Sequence, residues 1–270
     1  MRISLCNEVL AHLDFEHQCQ YAYELGYDGL EVAPYTLSGN PGNLSEKELL
    51  GYKAMAEDAG IAITSLHWLL VAPKGLSIVD PDKTLRDQTF ELMYRLIDQC
   101  AVLGGSVLVH GSPSQRHLSR DGDRERAEAF FDAAGERAAQ AGVTYCIEPL
   151  ARRETNFINT LSEAVELVKR LDRPHLKTML DTSAAANTET DTPAQLLETW
   201  LPSGLIAHIQ VNDRNRRGPG QGDNRFRGVI EALGRHGWAG TLAVEPFIYE
   251  PDGQATAARA IGYLRGLMEV

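Results

Sequence analysis

Four apolar segments of the sequence end at, or contain, a side chain whose oxygen could bind a metal ion. Glu148 and Glu245 each close such a run directly before a proline, Asp181 closes another, and Gln210 lies in a fourth. Because proline cannot continue a central sheet ladder, the two Glu-Pro pairs mark strand ends. A single acid at a strand end is ordinary surface, but four successive segments of one design indicate a site.

In a parallel α/β fold the carboxyl ends of the strands meet on one face, so these four side chains are expected to converge. Three carboxylates within a few ångströms of one another repel unless a cation lies between them. Oxygen ligation favours a hard or borderline divalent ion, Mn²⁺ or Mg²⁺, with Co²⁺ or Zn²⁺ as alternatives. The sequence therefore predicts one divalent-metal site.

The elements that must position these residues alternate along the chain. Eight short apolar segments are separated by stretches with helical patterns and occupy residues 3–6, 29–32, 61–66, 106–109, 143–147, 176–181, 205–213 and 241–244. This alternation implies parallel strands with right-handed crossovers. Eight such units in 270 residues fit an α/β (β/α)₈ TIM barrel. No change in composition marks a boundary, so residues 1–270 are expected to form a single domain.

Composition narrows the class of partner. A formal charge of −11 argues against nucleic acid, because phosphate binding needs a basic face. No run of about 18 apolar residues is present to span a membrane, and the chain enters its first strand without a signal-peptide layout. Four widely spaced cysteines in apolar surroundings favour a cytoplasmic protein with reduced thiols. A small-molecule partner is expected, and both a monomer and a homo-oligomer fit.

The order Glu-Pro, Asp-Thr, His-x-Gln-x-x-Asp, Glu-Pro resembles the xylose-isomerase-like barrel superfamily of sugar isomerases and epimerases, over almost the whole chain. In its ketose 3-epimerase branch, a glutamate follows the first ligand by six residues and an arginine follows the third by six. Glu154 and Arg216 stand at these positions, followed by the Pro-Gly-x-Gly turn at 219–222. The resemblance implies that Glu154 and Arg216 bind substrate.

Two positions depart from the ketose 3-epimerase pattern. The third metal ligand of that branch is histidine, whereas this chain has Gln210, which resembles the hydroxypyruvate isomerase branch. A substrate-contacting histidine expected three residues after Asp181 is replaced by Ala184. The resemblance therefore implies the metal ligands Glu148, Asp181, Gln210 and Glu245, but not the identity of the substrate.

Proton transfer beside a carbonyl is the chemistry that these residues support. A divalent ion that holds adjacent carbonyl and hydroxyl oxygens acidifies the C–H between them and stabilises the enediolate. Glu148 and Glu245, on different sides of the barrel mouth, are the expected catalytic acid/base pair. The expected substrate is a sugar, a sugar phosphate or a small hydroxy-keto acid. Returning the proton to the same carbon is epimerisation, and returning it to the neighbouring carbon is isomerisation.

Three other functions are compatible with this scaffold. A metal-dependent lyase acting on oxidised (3-keto) sugars or C-glycosides would use the same enediolate to expel a substituent. An endonuclease IV-like DNA repair enzyme would need further histidine ligands, and positions 184 and 210 are not histidine. A sugar-binding barrel without activity would not need a full set of carboxylates.

Further polar and aromatic residues lie at predicted strand ends. His67 and Trp68 follow the third strand, His110 ends the fourth, and Asp213 follows the seventh. All four are expected to face the barrel mouth and bind substrate, with Asp213 orienting Arg216 or a water. One more acid, Glu31, lies inside the apolar run of the second strand.

Overall fold

Eight short segments, buried along nearly their whole length, form the parallel strands of a closed barrel. In the computed structural model, which describes residues 1–269, each strand pairs with the next in chain order and the last pairs with the first. The strands are β1 Arg2–Cys6, β2 Gly29–Val32, β3 Ala62–Leu66, β4 Val107–His110, β5 Thr144–Ile147, β6 Leu176–Asp181, β7 Ile206–Val211 and β8 Thr241–Val244. The predicted (β/α)₈ TIM barrel is confirmed.

Helices connect the strands and cover the outside of the barrel. They are α1 Phe15–Glu24, α2 Pro34–Leu37, α3 Glu46–Asp58, α4 Lys83–Leu103, α5 Asp123–Ala141, α6 Leu161–Leu171, α7 Thr182–Thr188, α8 Pro193–Trp200, α9 Phe226–Arg235 and α10 Gly253–Met268. Ser45, Thr160 and Thr192 each begin a helix with a capping box, which satisfies N–H groups that have no partner inside the helix.

The sequence patterns do not predict α7, which follows β6 without a loop. It forms because the Asp181 carboxylate accepts a hydrogen bond from Ala184 N at 2.6 Å and so caps the helix. The same side chain therefore ends a strand and begins a helix, and its orientation is fixed by both.

Side chains along each strand alternate between the barrel interior and the surrounding helices. Val109, Cys146 and Met179 form a small apolar cluster inside the barrel, separate from the main core beneath the helices. Glu148 lies two residues beyond Cys146 and Asp181 two beyond Met179, so both carboxylates continue the interior face toward the carboxyl end of the barrel.

The four cysteines are buried and free, as predicted for reduced core thiols. Within residues 1–269, no helix combines the length and the apolar character needed to cross a membrane.

Candidate active site

Three carboxylates from different strands meet at the carboxyl end of the barrel. Glu148 follows β5, Asp181 ends β6 and Glu245 follows β8. One oxygen of each lies within 4.8 Å of the others, and each residue is at most 6% exposed. The structure therefore brings these three side chains together, as the sequence analysis expects.

Burial and mutual repulsion oppose the ionised forms of these carboxylates. Burial, followed by the charges of Glu245 and Asp181, raises the pKa of Glu148 well above its usual value. Burial raises the pKa of Asp181 to about 6, although its hydrogen bonds favour the charged form. Burial also raises the pKa of Glu245 to about 8, against the lowering effect of His67. A cation between the three groups would favour their charged forms, so the electrostatics fit a metal site.

Gln210 offers a fourth oxygen. It lies opposite Asp181 on the neighbouring strand, and its Nε2 donates to Glu31 Oε1 at 2.7 Å. Gln210 Oε1 and Glu245 Oε2 are both buried, and neither has a hydrogen-bond partner among residues 1–269. Buried polar atoms are rarely left unpaired. The unpaired amide oxygen of Gln210 and the three carboxylates, with Glu245 Oε2 among their oxygens, fit a divalent ion with oxygen ligands.

Asn212, which the sequence analysis missed, orients two of the carboxylate residues. Its Nδ2 donates to Asp181 Oδ2 at 2.7 Å and to the main-chain oxygen of Glu245 at 2.9 Å. Its Oδ1 accepts from Ser183 N at 2.8 Å, which fixes the direction of the amide. The available signal was its spacing, since a residue two after Gln210 lies on the same side of the strand.

His67 links Glu245 to a further acid at the site. Its Nδ1 lies 3.0 Å from Glu245 Oε1, and its Nε2 lies 3.0 Å from Glu8 Oε2. Burial alone would lower the pKa of His67, but Glu8, Glu245 and Glu31 together raise it well above its usual value. His67 therefore places a positive charge against Glu245, a role that strand-end position alone does not reveal.

Glu31, which the sequence alone singled out but gave no role, is fully buried inside the barrel. Its Oε1 accepts from Gln210, and its Oε2 accepts from the Ser65 hydroxyl and lies 2.7 Å from His208 Nε2. Burial alone would raise the pKa of Glu31, but His208, and then His67 and Ser65, hold it well below its usual range. An acid in an otherwise apolar strand was the signal for this network.

A cavity that opens to solvent adjoins two of the carboxylates, Glu148 and Glu245. The guanidinium carbon of Arg216 lies 4.5 Å from the centre of the Phe247 ring, and the Trp68 ring packs edge-on against Phe247 at 6.1 Å. These groups form an aromatic wall that carries one positive charge. The lining includes Glu148, Glu245 and four of the predicted substrate-binding residues, His67, Trp68, Glu154 and Arg216.

The main chain holds Arg216 in an unusual conformation. Its φ is +67°, in the left-handed region that non-glycine residues seldom occupy. Its N–H donates to the Asp213 carbonyl at 2.7 Å, and its own carbonyl accepts from Phe247 N and Ile248 N at 2.8 and 3.0 Å. The loop after β7 is therefore tied to the segment after β8, and the guanidinium is directed at the cavity.

Asp213 is not among the residues that line the cavity, and the prediction that it binds substrate stays a prediction. Its Oδ1 accepts from the main-chain N–H groups of Arg214 and Asn224 at 3.0 and 2.9 Å. The Asp213 carboxylate thus organises the loop after β7. The main-chain carbonyl of Asp213, which accepts from Arg216 N, is the group that holds Arg216 in its orientation.

His110 also lies outside the cavity, against the expectation that it faces the barrel mouth. It pairs with Ile147 in the sheet and therefore shares that residue's outward face, whereas Val109 points inward. The imidazole packs against the rings of Phe130 and Phe131, with Nδ1 2.7 Å from the Tyr145 hydroxyl. Strand periodicity thus places His110 among the helices.

Gly111, next in the chain, gives Glu148 its space. A Cβ at this position would collide with Glu148 Oε2. The absence of a side chain here is therefore a condition for the observed position of that carboxylate.

Comparison with known proteins shows the family to which the chain belongs. The family model for the xylose isomerase-like TIM barrel matches residues 19–267. D-Psicose 3-epimerase of Ruminiclostridium cellulolyticum is 30% identical over 239 residues, which cover 87% of this chain and 79% of that protein. The 3-dehydro-D-guloside 4-epimerase of Escherichia coli is 24% identical over 277 residues, covering 98% and 99% of the two chains.

A solved structure shares the same fold over the whole chain. The crystal structure of 3-keto-D-glucoside 4-epimerase from Escherichia coli superimposes with a TM-score of 0.82 at 24% identity, covering 98% of this chain and 99% of that one.

Proposed function

Because the chain belongs to the xylose isomerase-like TIM barrel family, we propose that it is a divalent-metal-dependent sugar epimerase with Glu148 and Glu245 as its acid/base pair. The observation that carries the proposal is that these two carboxylates and Asp181 meet within 4.8 Å beside one cavity. In this proposal residues 1–270 act as one catalytic domain.

Four side chains would hold the ion through oxygen: Glu148, Asp181, Gln210 and Glu245. Mn²⁺ or Mg²⁺ suits such a set best, with Co²⁺ and Zn²⁺ as alternatives. When bound, a divalent ion polarises the substrate carbonyl and acidifies the neighbouring C–H. Asn212 and Glu31 serve this set by orienting Asp181 and Gln210 through the hydrogen bonds that they make.

Glu148 and Glu245 divide the proton transfer between them. β6 and β7 lie between their strands, so the two carboxylates approach the cavity from different sides. One removes the proton beside the carbonyl, and the other delivers a proton to the opposite face of the same carbon. A carboxylate can accept a proton as a general base and then give it up as a general acid, so either glutamate can serve in either role. This two-sided arrangement favours epimerisation over isomerisation.

The substrate class follows from the relatives and from the groups around the cavity. D-Psicose 3-epimerase and 3-dehydro-D-guloside 4-epimerase are named for sugars without a phosphate, so an uncharged sugar is favoured. The cavity lining includes the carboxylates of Glu148, Glu154 and Glu245 and one guanidinium, that of Arg216. Arg216 and Glu154 can each hold sugar oxygens, and the ring of Phe247 provides an apolar surface.

Two classes of sugar substrate fit the proposal, a free ketose and a 3-keto glycoside. The Ruminiclostridium cellulolyticum relative is named for a ketose, and the Escherichia coli relative, which aligns end to end, for a keto glycoside. DNA repair is not proposed, because His110 points away from the site and position 184 is alanine. A lyase reaction would differ from epimerisation only in that the substrate loses a substituent after the proton is removed.

Proton exchange identifies the reaction directly. The purified protein with Mn²⁺ is incubated in D₂O with ketoses, 3-keto glycosides, hydroxy-keto acids and their phosphates, and each C–H is followed by NMR. Deuterium at one carbon with inversion there supports an epimerase. Transfer to the neighbouring carbon would indicate an isomerase, release of a substituent a lyase, and no exchange with any sugar would contradict the proposal.

Arg216→Ala is expected to raise KM by about 10–100-fold with little change in kcat. A charge-assisted hydrogen bond contributes about 1.5–3 kcal/mol, and losing one that is equal in the ground and transition states affects KM alone. Arg217→Ala is the matched control, because Arg217 lies on the same loop, pairs with Glu250 and is outside the cavity. If Arg216→Ala binds substrate normally but abolishes exchange, Arg216 takes part in the proton transfer.

Gly111→Ala is expected to lower kcat by up to about 100-fold, because the added Cβ displaces Glu148 and a shift of about 1 Å can cost that much. The measurement is kcat in protein whose circular dichroism is unchanged. Gly51→Ala in α3 is the control, since its Cβ meets nothing within 4 Å, and it should keep wild-type turnover. Equal kcat in both variants would show that Glu148 can move without loss.

A further inference from the structure

The Gln210 amide is held by Glu31 inside the barrel. Glu31 Oε1 accepts from Gln210 Nε2 at 2.7 Å, and both residues are fully buried. A carboxamide has a donating end and an accepting end, and half a turn about its last bond exchanges them. Because the donating end is bound to Glu31, the accepting atom, Oε1, is the one left for an ion.

Glu31 is itself fixed by groups from three other strands. Its Oε2 accepts from the Ser65 hydroxyl and lies 2.7 Å from His208 Nε2, while the Cys6 thiol donates to Oε1 at 3.4 Å. Ser65 and Cys6 donate hydrogen bonds to the carboxylate, and the His208 imidazole lies against it. A rotated Gln210 amide would set its oxygen against a carboxylate oxygen, which is an acceptor–acceptor contact in a buried place.

We infer that Glu31 is a positioning residue that selects the carbonyl oxygen of Gln210 as the fourth ligand atom of the metal site. The inference rests on the proposed function, since it takes Gln210 as a ligand. A carboxylate offers oxygen in either orientation, but a glutamine offers it in only one. Glu31 removes the unproductive orientation before the ion binds.

The test measures Mn²⁺ affinity of the full chain, stripped with a chelator, by competition with a chelating dye. Glu31→Gln is expected to weaken Mn²⁺ binding by about 10–100-fold, the usual cost of losing the partner of a metal ligand. Ser4→Ala is the control, because it also removes a buried hydrogen bond inside the barrel, to Thr64 at 2.9 Å, without touching Gln210. It should bind Mn²⁺ as the wild type does.

A change in the Gln210 background separates positioning from general structural support. In Gln210→Glu both ends of the side chain are oxygens, so its orientation no longer matters for the ion. The carboxylate of Glu31 then repels that of residue 210, and Glu31→Gln replaces it with an amide that can donate a hydrogen bond. Glu31→Gln should therefore strengthen Mn²⁺ binding in that background while weakening it in the wild type. Weakening in both backgrounds would overturn the inference. If Glu31→Gln alone does not fold, Glu31→Asp gives the wild-type arm, and unchanged affinity there would also overturn it.

Gln210→Leu distinguishes this inference from the proposed function. If the leucine variant binds Mn²⁺ like the wild type, Gln210 is not a ligand and the proposed metal site fails. If it loses affinity while folded Glu31→Gln keeps it, the metal site stands and only the role of Glu31 is wrong.

Discussion

Glu148→Gln and Glu245→Gln are each expected to lower kcat by about 10³-fold or more, since general acid/base catalysis alone contributes about 10²–10⁴-fold. Glutamine preserves the shape of the side chain and one oxygen, so the fold and substrate binding should survive. What is lost is the ability to move a proton, together with one of the three negative charges around the ion, for which saturating Mn²⁺ compensates. The measurement is kcat with saturating Mn²⁺ and sugar, on protein whose thermal unfolding is compared with the wild type.

Glu250→Gln is the matched control for these two variants. Glu250 also precedes a proline, but it is exposed and pairs with Arg217 instead of entering the cavity. It should keep wild-type kcat. Following deuterium exchange adds a second reading, because loss of only the proton-returning residue leaves exchange at the reacting carbon without inversion. A wild-type kcat in either glutamine variant would remove that glutamate from the mechanism.

Asp181→Asn is expected to weaken Mn²⁺ binding by more than the roughly 10–100-fold typical of changes beyond the direct ligands. Asparagine can still accept the hydrogen bond that caps α7, so the local fold should persist. It removes one of three negative charges, however, and its NH₂ would face either the ion or the donating Asn212 amide. Turnover should fall with metal occupancy and recover in part as Mn²⁺ is raised.

Asp132→Asn provides the comparison, because Asp132 on α5 also carries a hydrogen-bonded carboxylate, paired with Arg173 just after α6. Its Mn²⁺ affinity should equal that of the wild type. Full metal occupancy in Asp181→Asn at wild-type Mn²⁺ concentrations would show that Asp181 is not a ligand.

The barrel and the convergence of the carboxylates could be predicted because both depend on local sequence. Apolar runs, capping boxes and the Glu-Pro pairs identify strands, helices and their ends within a few residues. Closure of eight parallel units then brings every strand end to one face, wherever each lies in the chain. Glu148, Asp181, Gln210 and Glu245 needed no further information to be placed together.

The face on which a strand-end residue lies was decided by the pairing of strands. His110 and Glu148 both stand at strand ends, yet His110 pairs with Ile147 and points to the helices, while Glu148 continues the inward face of Cys146. A shift of one residue reverses the side, and the ends of short apolar runs do not define position that finely.

The sequence by itself thus determined the fold and the convergence of the carboxylates, and it led to the proposed class of chemistry. Only the tertiary structure decided which residues orient that set. Glu31 meets Gln210 across 179 residues of chain, and His67 meets Glu245 across 178. Such pairs arise because closing the barrel brings its first strands against its last, and a contact between distant segments leaves no local pattern in either of them.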